Sequence, residues 1–168
     1  MRRNWKMLSI LALCVMAAGG FGLKIAFSHC QVPCGIYNDE LRFEALYNQN
    51  ITTIDKAMTQ IKELSEKSDA LSANQLSRWV TNKEEHADEI MHQMQQYFLA
   101  QRIKPADEGD SAAYKDYTQK LVIIHHIIID SMKCKQTVDP ANVESLKSNL
   151  DKLYKAYFGK DPQEHTHD

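Results

Sequence analysis

The sequence predicts an all-α fold: an up-down four-helix bundle preceded by an irregular N-terminal arm. Three observations predict it. From residue 38 onward the apolar residues recur at spacings of three and four. Turn-forming residues interrupt that pattern at three places, near 66–72, 105–110 and 137–140. The connections are short, which favours antiparallel neighbours. At 168 residues, with 43% hydrophobic and 25% charged residues, the chain suffices for one domain with its own core.

The first helix carries Tyr47, Ile51, Ile54, Met58 and Ile61 on one stripe, with Asn38 or Asp39 available to cap its start. The second is announced by Ser72-Ala73-Asn74-Gln75, a capping-box spacing. It places Leu76, Trp79, Val80, Ala87, Ile90, Met91, Met94, Tyr97 and Phe98 on one face and ends before Pro105 and the loop 107–110. The third, 112–135, contains LVIIHHIIID; its β-branched run could serve a strand, but its length without turn signals predicts a helix buried on most sides. Asp139 and Pro140 then supply an N-cap and a first-turn proline for a helix with Val143, Leu146, Leu150, Leu153, Tyr154 and Tyr157 inward. The bundle is expected over 38–158 and a disordered tail over 159–168.

Residues 1–28 read as a leader. Arg2, Arg3 and Lys6 precede a 17-residue apolar run, 7–23, and Ala26-Phe27-Ser28 places small residues at the positions that govern cleavage. An uncleaved membrane anchor is disfavoured by the run's length, by Gly19, Gly20 and Gly22, and by Lys24. The expectation is export to a periplasmic or extracellular space with no stable anchor after a processing protease cuts, or a cytoplasmic location if the leader is only a propeptide. The twin arginines do not separate one export route from another. Cleavage after Ser28 removes four basic and no acidic residues, leaving 16 basic against 22 acidic and a formal charge of −6, which argues against nucleic acid as a partner. Of the four cysteines, Cys14 would leave with the leader and Cys30, Cys34 and Cys134 remain, so at least one does not pair within the chain.

The stretch 29–37, HCQVPCGIY, holds the chemistry. With His29 as the first residue, its amine and imidazole, the amide and thiolate of Cys30 and the thiolate of Cys34 fall within six residues. Such nitrogen and sulfur donors can form a square plane, a geometry that suits Ni(II) or Cu(II), with the imidazole available as an axial ligand. Structural zinc instead wants a tetrahedron.

This run resembles the N-terminal hook of the nickel superoxide dismutases, H-C-x-x-P-C-G-x-Y, at every fixed position. TVDPA at 137–141 resembles the same family's loop before its last helix. The resemblance implies a superoxide dismutase that cycles one nickel ion per subunit between +2 and +3, within a homohexameric assembly of four-helix bundles. It implies that His29, Cys30 and Cys34 bind the metal, that Tyr37 stands beside the open face as the catalytic side chain, that Pro33 shapes the turn, and that Glu44 bonds the His29 imidazole. Gln31 stands where many members carry aspartate. His86 stands where well-known members carry an arginine that supports the glutamate.

Competing readings follow from single features. Cys30 and Cys34 could form a disulfide in an oxidising compartment. Glu89 and His92 have the spacing of a di-iron motif, but a second such motif is needed, and the residues three before His125 and His126 are Val122 and Ile123. His92 is expected on a solvated face, His125 and His126 partly buried or at an interface, and Cys134 as a structural thiol. Asn50 begins an Asn-Ile-Thr sequon but lies inside a helix. The functional alternative is an exported helical metal-binding or metal-delivery protein without catalysis.

Overall fold

The computed structural model describes residues 39–162, and within them every regular element is helical. The expected leader, the stretch 29–37 and the last six residues lie outside the described residues. Helix α1 (Asp39–Ala45) continues through a π-helical stretch (Leu46–Ile51) into α2 (Thr52–Ser65). Helix α3 (Ala70–His92) continues into a second π-helical stretch (Gln93–Arg102), and α4 (Ser111–Gln136) and α5 (Pro140–Phe158) complete the order. Helix α2 packs on α3, α3 on α4, α4 on α5, and α5 back on α2. None of these helices is long and apolar enough to cross a membrane.

The expected stripes form the core. Ile54, Ile90, Met94, Phe98, Ile124, Ile127, Leu146, Leu150 and Leu153 are wholly buried. Ile61, Leu76, Trp79, Val80, Met91 and Tyr157 from the same stripes are only half-buried. Phe43 lies among rings from two other parts of the fold, 5.1 Å from Phe98, 5.2 Å from Tyr154 and 5.6 Å from Phe158 between centroids. These tilted and edge-on pairs suit aromatic quadrupoles and tie α1 to the second π-helical stretch and the end of α5.

Helix α5 starts as expected: Asp139 accepts from the Ala141 amide at 3.0 Å with Pro140 in the first turn, and the helix ends on Gly159 at φ 69°. Only glycine adopts that left-handed conformation without steric cost. Lys160 beyond it reaches Glu40 at 2.6 Å.

Four expectations change. Helix α3 begins at Ala70 under an Asp69 cap, not at a Ser72 box: Asp69 has extended backbone and accepts from the Ser72 amide at 3.0 Å and the Ser72 hydroxyl at 2.6 Å. An aspartate three residues earlier caps equally well and leaves Ser72 to be buried. Helix α4 is not buried on most sides. It buries Ile123, Ile124, Ile127, Asp130, Ser131 and Cys134, while Val122 is 49%, Ile129 42% and Met132 37% exposed. Of the two alternatives for His125 and His126, partial burial does not hold, since both are exposed within the single chain, while an interface position stays open. The two π-helical stretches have no counterpart in the periodicity. Each widens the turn locally, so that Leu46, Tyr47, Asn50 and Ile51, and then Met94, Tyr97 and Phe98, all face inward.

Two polar groups are buried with full sets of partners. Lys83 on α3 donates to the carbonyls of Cys134 at 2.7 Å, Lys135 at 2.7 Å and Thr137 at 2.8 Å, closing the C-terminus of α4 with a cation where the helix dipole is negative. Asp130 on α4 accepts from Ser145 at 2.7 Å and Asn149 at 2.8 Å on α5. Burial works against ionising this carboxyl, but these bonds and the nearby Lys133 hold it below its usual range.

Candidate metal centre

Of the residues singled out from the sequence, His29, Cys30, Pro33, Cys34 and Tyr37 lie outside the described residues. Glu44 lies within them, exposed on α1. The structure does show the point where the described chain begins. Asp39 is two residues beyond Tyr37 and opens α1. A first-turn aspartate ordinarily faces water and caps its own helix. Here the carboxylate is turned inward and 9% exposed. It accepts hydrogen bonds from the hydroxyl of Tyr97, from the guanidinium of Arg102 and, at 2.6 Å, from the hydroxyl of Tyr157. Arg102 Nε also donates to the Tyr157 oxygen at 2.8 Å. The guanidinium of Arg42 stacks on the Tyr97 ring at 3.8 Å and donates to Gln93 at 3.2 Å.

The electrostatics follow from that arrangement. Burial would raise the Asp39 carboxyl, but the bonds from Tyr157, Tyr97 and Arg102, with the guanidinium's charge, outweigh it and hold the group below the ordinary carboxylate range. Burial, together with the Asp39 charge, pushes the Tyr157 phenol up to about 12 and raises that of Tyr97. Near neutral pH the cluster is therefore one carboxylate, that of Asp39, accepting from two protonated phenols and a guanidinium.

Local sequence patterns could not have revealed this cluster. Its partners lie 58, 63 and 118 residues from Asp39, and the two tyrosines sit in apolar stripes where they read as core. A recess of about 480 Å³ opens alongside, lined by Leu41, Arg42, Leu46, Asn50, Glu89 and Gln93. Behind it, His86 Nδ1 meets Asn50 Oδ1 at 2.7 Å, with Asn50 buried and His86 half-buried. His86, aligned from the sequence with a residue that supports the glutamate, is thus engaged by Asn50. The same contact buries the sequon asparagine.

The described residues offer no alternative metal centre: no group of three or more His, Cys, Asp or Glu side chains converges among them. Cys134 is fully buried, and burial together with the Asp130 charge pushes its thiol up to about 11, which favours the protonated thiol near neutral pH. His92, His125 and His126 are exposed on their helices. The competing di-iron reading, set aside in the sequence for want of a second motif, gains no support among the described residues. His29, Cys30 and Cys34, the soft donors expected from the sequence to suit nickel, lie outside those residues.

No curated protein and no solved structure matches the chain. A model of the nickel-containing superoxide dismutases, by contrast, matches residues 24–161, which takes in HCQVPCGIY and every helix described above. The chain therefore belongs to the nickel-containing superoxide dismutase family, and it is an oxidoreductase that acts on superoxide with a nickel cofactor.

Proposed function

We propose that the enzyme is made as a precursor, cut between Ser28 and His29, and that the terminus so created holds one nickel ion per subunit through His29, Cys30 and Cys34. When bound, nickel supplies a one-electron couple between +2 and +3, so that one superoxide is oxidised to oxygen and a second, with two protons, is reduced to hydrogen peroxide. Tyr37 narrows access to small anions and, with ordered water, brings protons to the reduced oxygen. Pro33 shapes the turn that returns Cys34 toward Cys30. Glu44, exposed on α1, fixes the orientation of the His29 imidazole as a hydrogen-bond acceptor. Gln31 leaves Tyr37 and water as the local proton donors.

The carrying observation is the run 29–37 itself: every donor lies within six residues of one peptide bond, in a chain whose family uses nickel. The removal of the leader then becomes a step in building the site, because it exposes an amine. Export to the periplasm or the outside follows from the leader's basic start and apolar run.

The same reading extends to the assembly. The loops 66–69, 103–110 and 137–139 are short enough to return each helix beside the last, which supports an up-down four-helix bundle. Val122, Ile129 and Met132, with His125 and His126 between them, form an apolar stripe on the outer side of α4 that a second copy would cover in a homohexamer.

The test combines intact mass with activity. The mature protein should begin at His29, carry one nickel and lose superoxide dismutation in Cys30→Ser and Cys34→Ser variants. A terminus elsewhere on an active, nickel-loaded protein would overturn the reading.

A further inference from the structure

We infer that Asp39 is a positioning residue for the nickel reaction: clamped by Tyr97, Tyr157 and Arg102, it fixes the point and direction from which the metal-carrying arm leaves the helices. The inference rests on the assignment of His29, Cys30 and Cys34 as ligands. Its own support comes from Asp39 and its neighbours.

Capping α1 requires nothing like this cluster. Helix α1 could be held by Phe43 alone, which is 1% exposed among four rings. Burying a carboxylate at the helix start instead incurs a desolvation cost that only a full set of donors offsets. That set is present, and it comes from both the second π-helical stretch and the end of α5. The neighbouring residues are held as well: Glu40 by Lys160, and Arg42 by Gln93 and the Tyr97 ring. Three of the first four residues of α1 are thus fixed by side chains from distant parts of the chain.

Chain geometry carries this constraint to the site. A residue spans at most about 3.6 Å, so the Tyr37 Cα lies within roughly 7 Å of the Asp39 Cα and that of Cys34 within roughly 18 Å. Only one residue, Asn38, separates the clamp from Tyr37, with four soft dihedrals between the two Cα atoms. Loosening Asp39 therefore spreads the positions open to Tyr37 and Cys34, and orientation of bound groups is sensitive to such displacements.

The test measures nickel release from the processed, nickel-loaded protein into excess chelator, followed by loss of nickel–thiolate absorption. Asp39→Asn keeps the shape and removes the charge, and release should quicken about ten-fold, the effect of one charge-assisted bond. Tyr157→Phe removes one donor and should quicken release about three-fold, and it carries the test if Asp39→Asn does not fold. Asp130→Asn is the control, since it weakens another buried carboxylate cluster, whose partners Ser145 and Asn149 lie about 12 to 18 Å along α5 from Tyr157 at 1.5 Å per residue, and should leave release unchanged. Release from Asp39→Asn and Tyr157→Phe within two-fold of the parent, or equal to that from Asp130→Asn, would overturn the proposal. Cys34→Ser separates the two levels of inference: nickel held by that variant as tightly as by the parent would sink the ligand assignment itself.

Discussion

Replacing Lys83 by methionine should destabilise the protein by about 3 kcal/mol. The ammonium is 3% exposed and donates to three carbonyl oxygens, of Cys134, Lys135 and Thr137, at 2.7 to 2.8 Å. Hydrogen bonds from a charged donor contribute about 1.5–3 kcal/mol each, and a cation at a partly buried helix C-terminus up to about 2 kcal/mol. The sum overstates the loss, because burial disfavours the charge and holds the Lys83 amine below its usual range. Methionine keeps most of the apolar stem and leaves three acceptors without their donor, which places the net cost near that of breaking other buried charge clusters, about 3–5 kcal/mol, at its lower end. Guanidinium titrations of parent and variant, followed by helical circular dichroism, measure the difference. A variant within 1 kcal/mol of the parent at equal slope would refute the reasoning, since the carbonyls would then be satisfied without the lysine.

Two further predictions follow from the buried groups. Asp39 and Asp130 both have folded-state values below the ordinary carboxylate range, so they add stability above about pH 4 that is lost as pH falls through their folded values. Denaturant midpoints should therefore drop on acidification, less steeply in Asp39→Asn, and an identical acid limb in that variant would contradict the assignment. The Cys134 thiol, pushed up to about 11 and fully buried, should resist alkylation in the native protein at pH 8, and Cys134→Ala should retain nickel and activity. Loss of nickel from that variant would give Cys134 a role at the centre that its position does not suggest.

Much of the fold was legible because helical burial is periodic and local. The stripe from Tyr47 to Met58 and the inward set of α5 could be read from spacing, and the Asp139-Pro140 start of α5 from local chemistry. The start of α3 misled because Asp69 and Ser72 are both good caps and the choice between them depends on which side chain the packing buries. The exposed side of α4 misled for the opposite reason: a continuous β-branched run looks uniformly apolar, and nothing local tells which side meets the core. The π-helical stretches add a residue to a turn to seat particular side chains, a demand set by the opposing helices.

By itself the sequence determined the helical class and the family, since helical burial is periodic and HCQVPCGIY joins two cysteines, a histidine, a proline and a phenol in one short run that depends on order alone. Only the tertiary structure decided that Asp39 is a clamp and not a cap, that Lys83 closes the end of α4 from another helix, and that His86 serves Asn50. Each of these joins residues at least 36 positions apart. Such pairs form because burial leaves a polar group no other partner, and no local pattern records which partner the packed chain will bring.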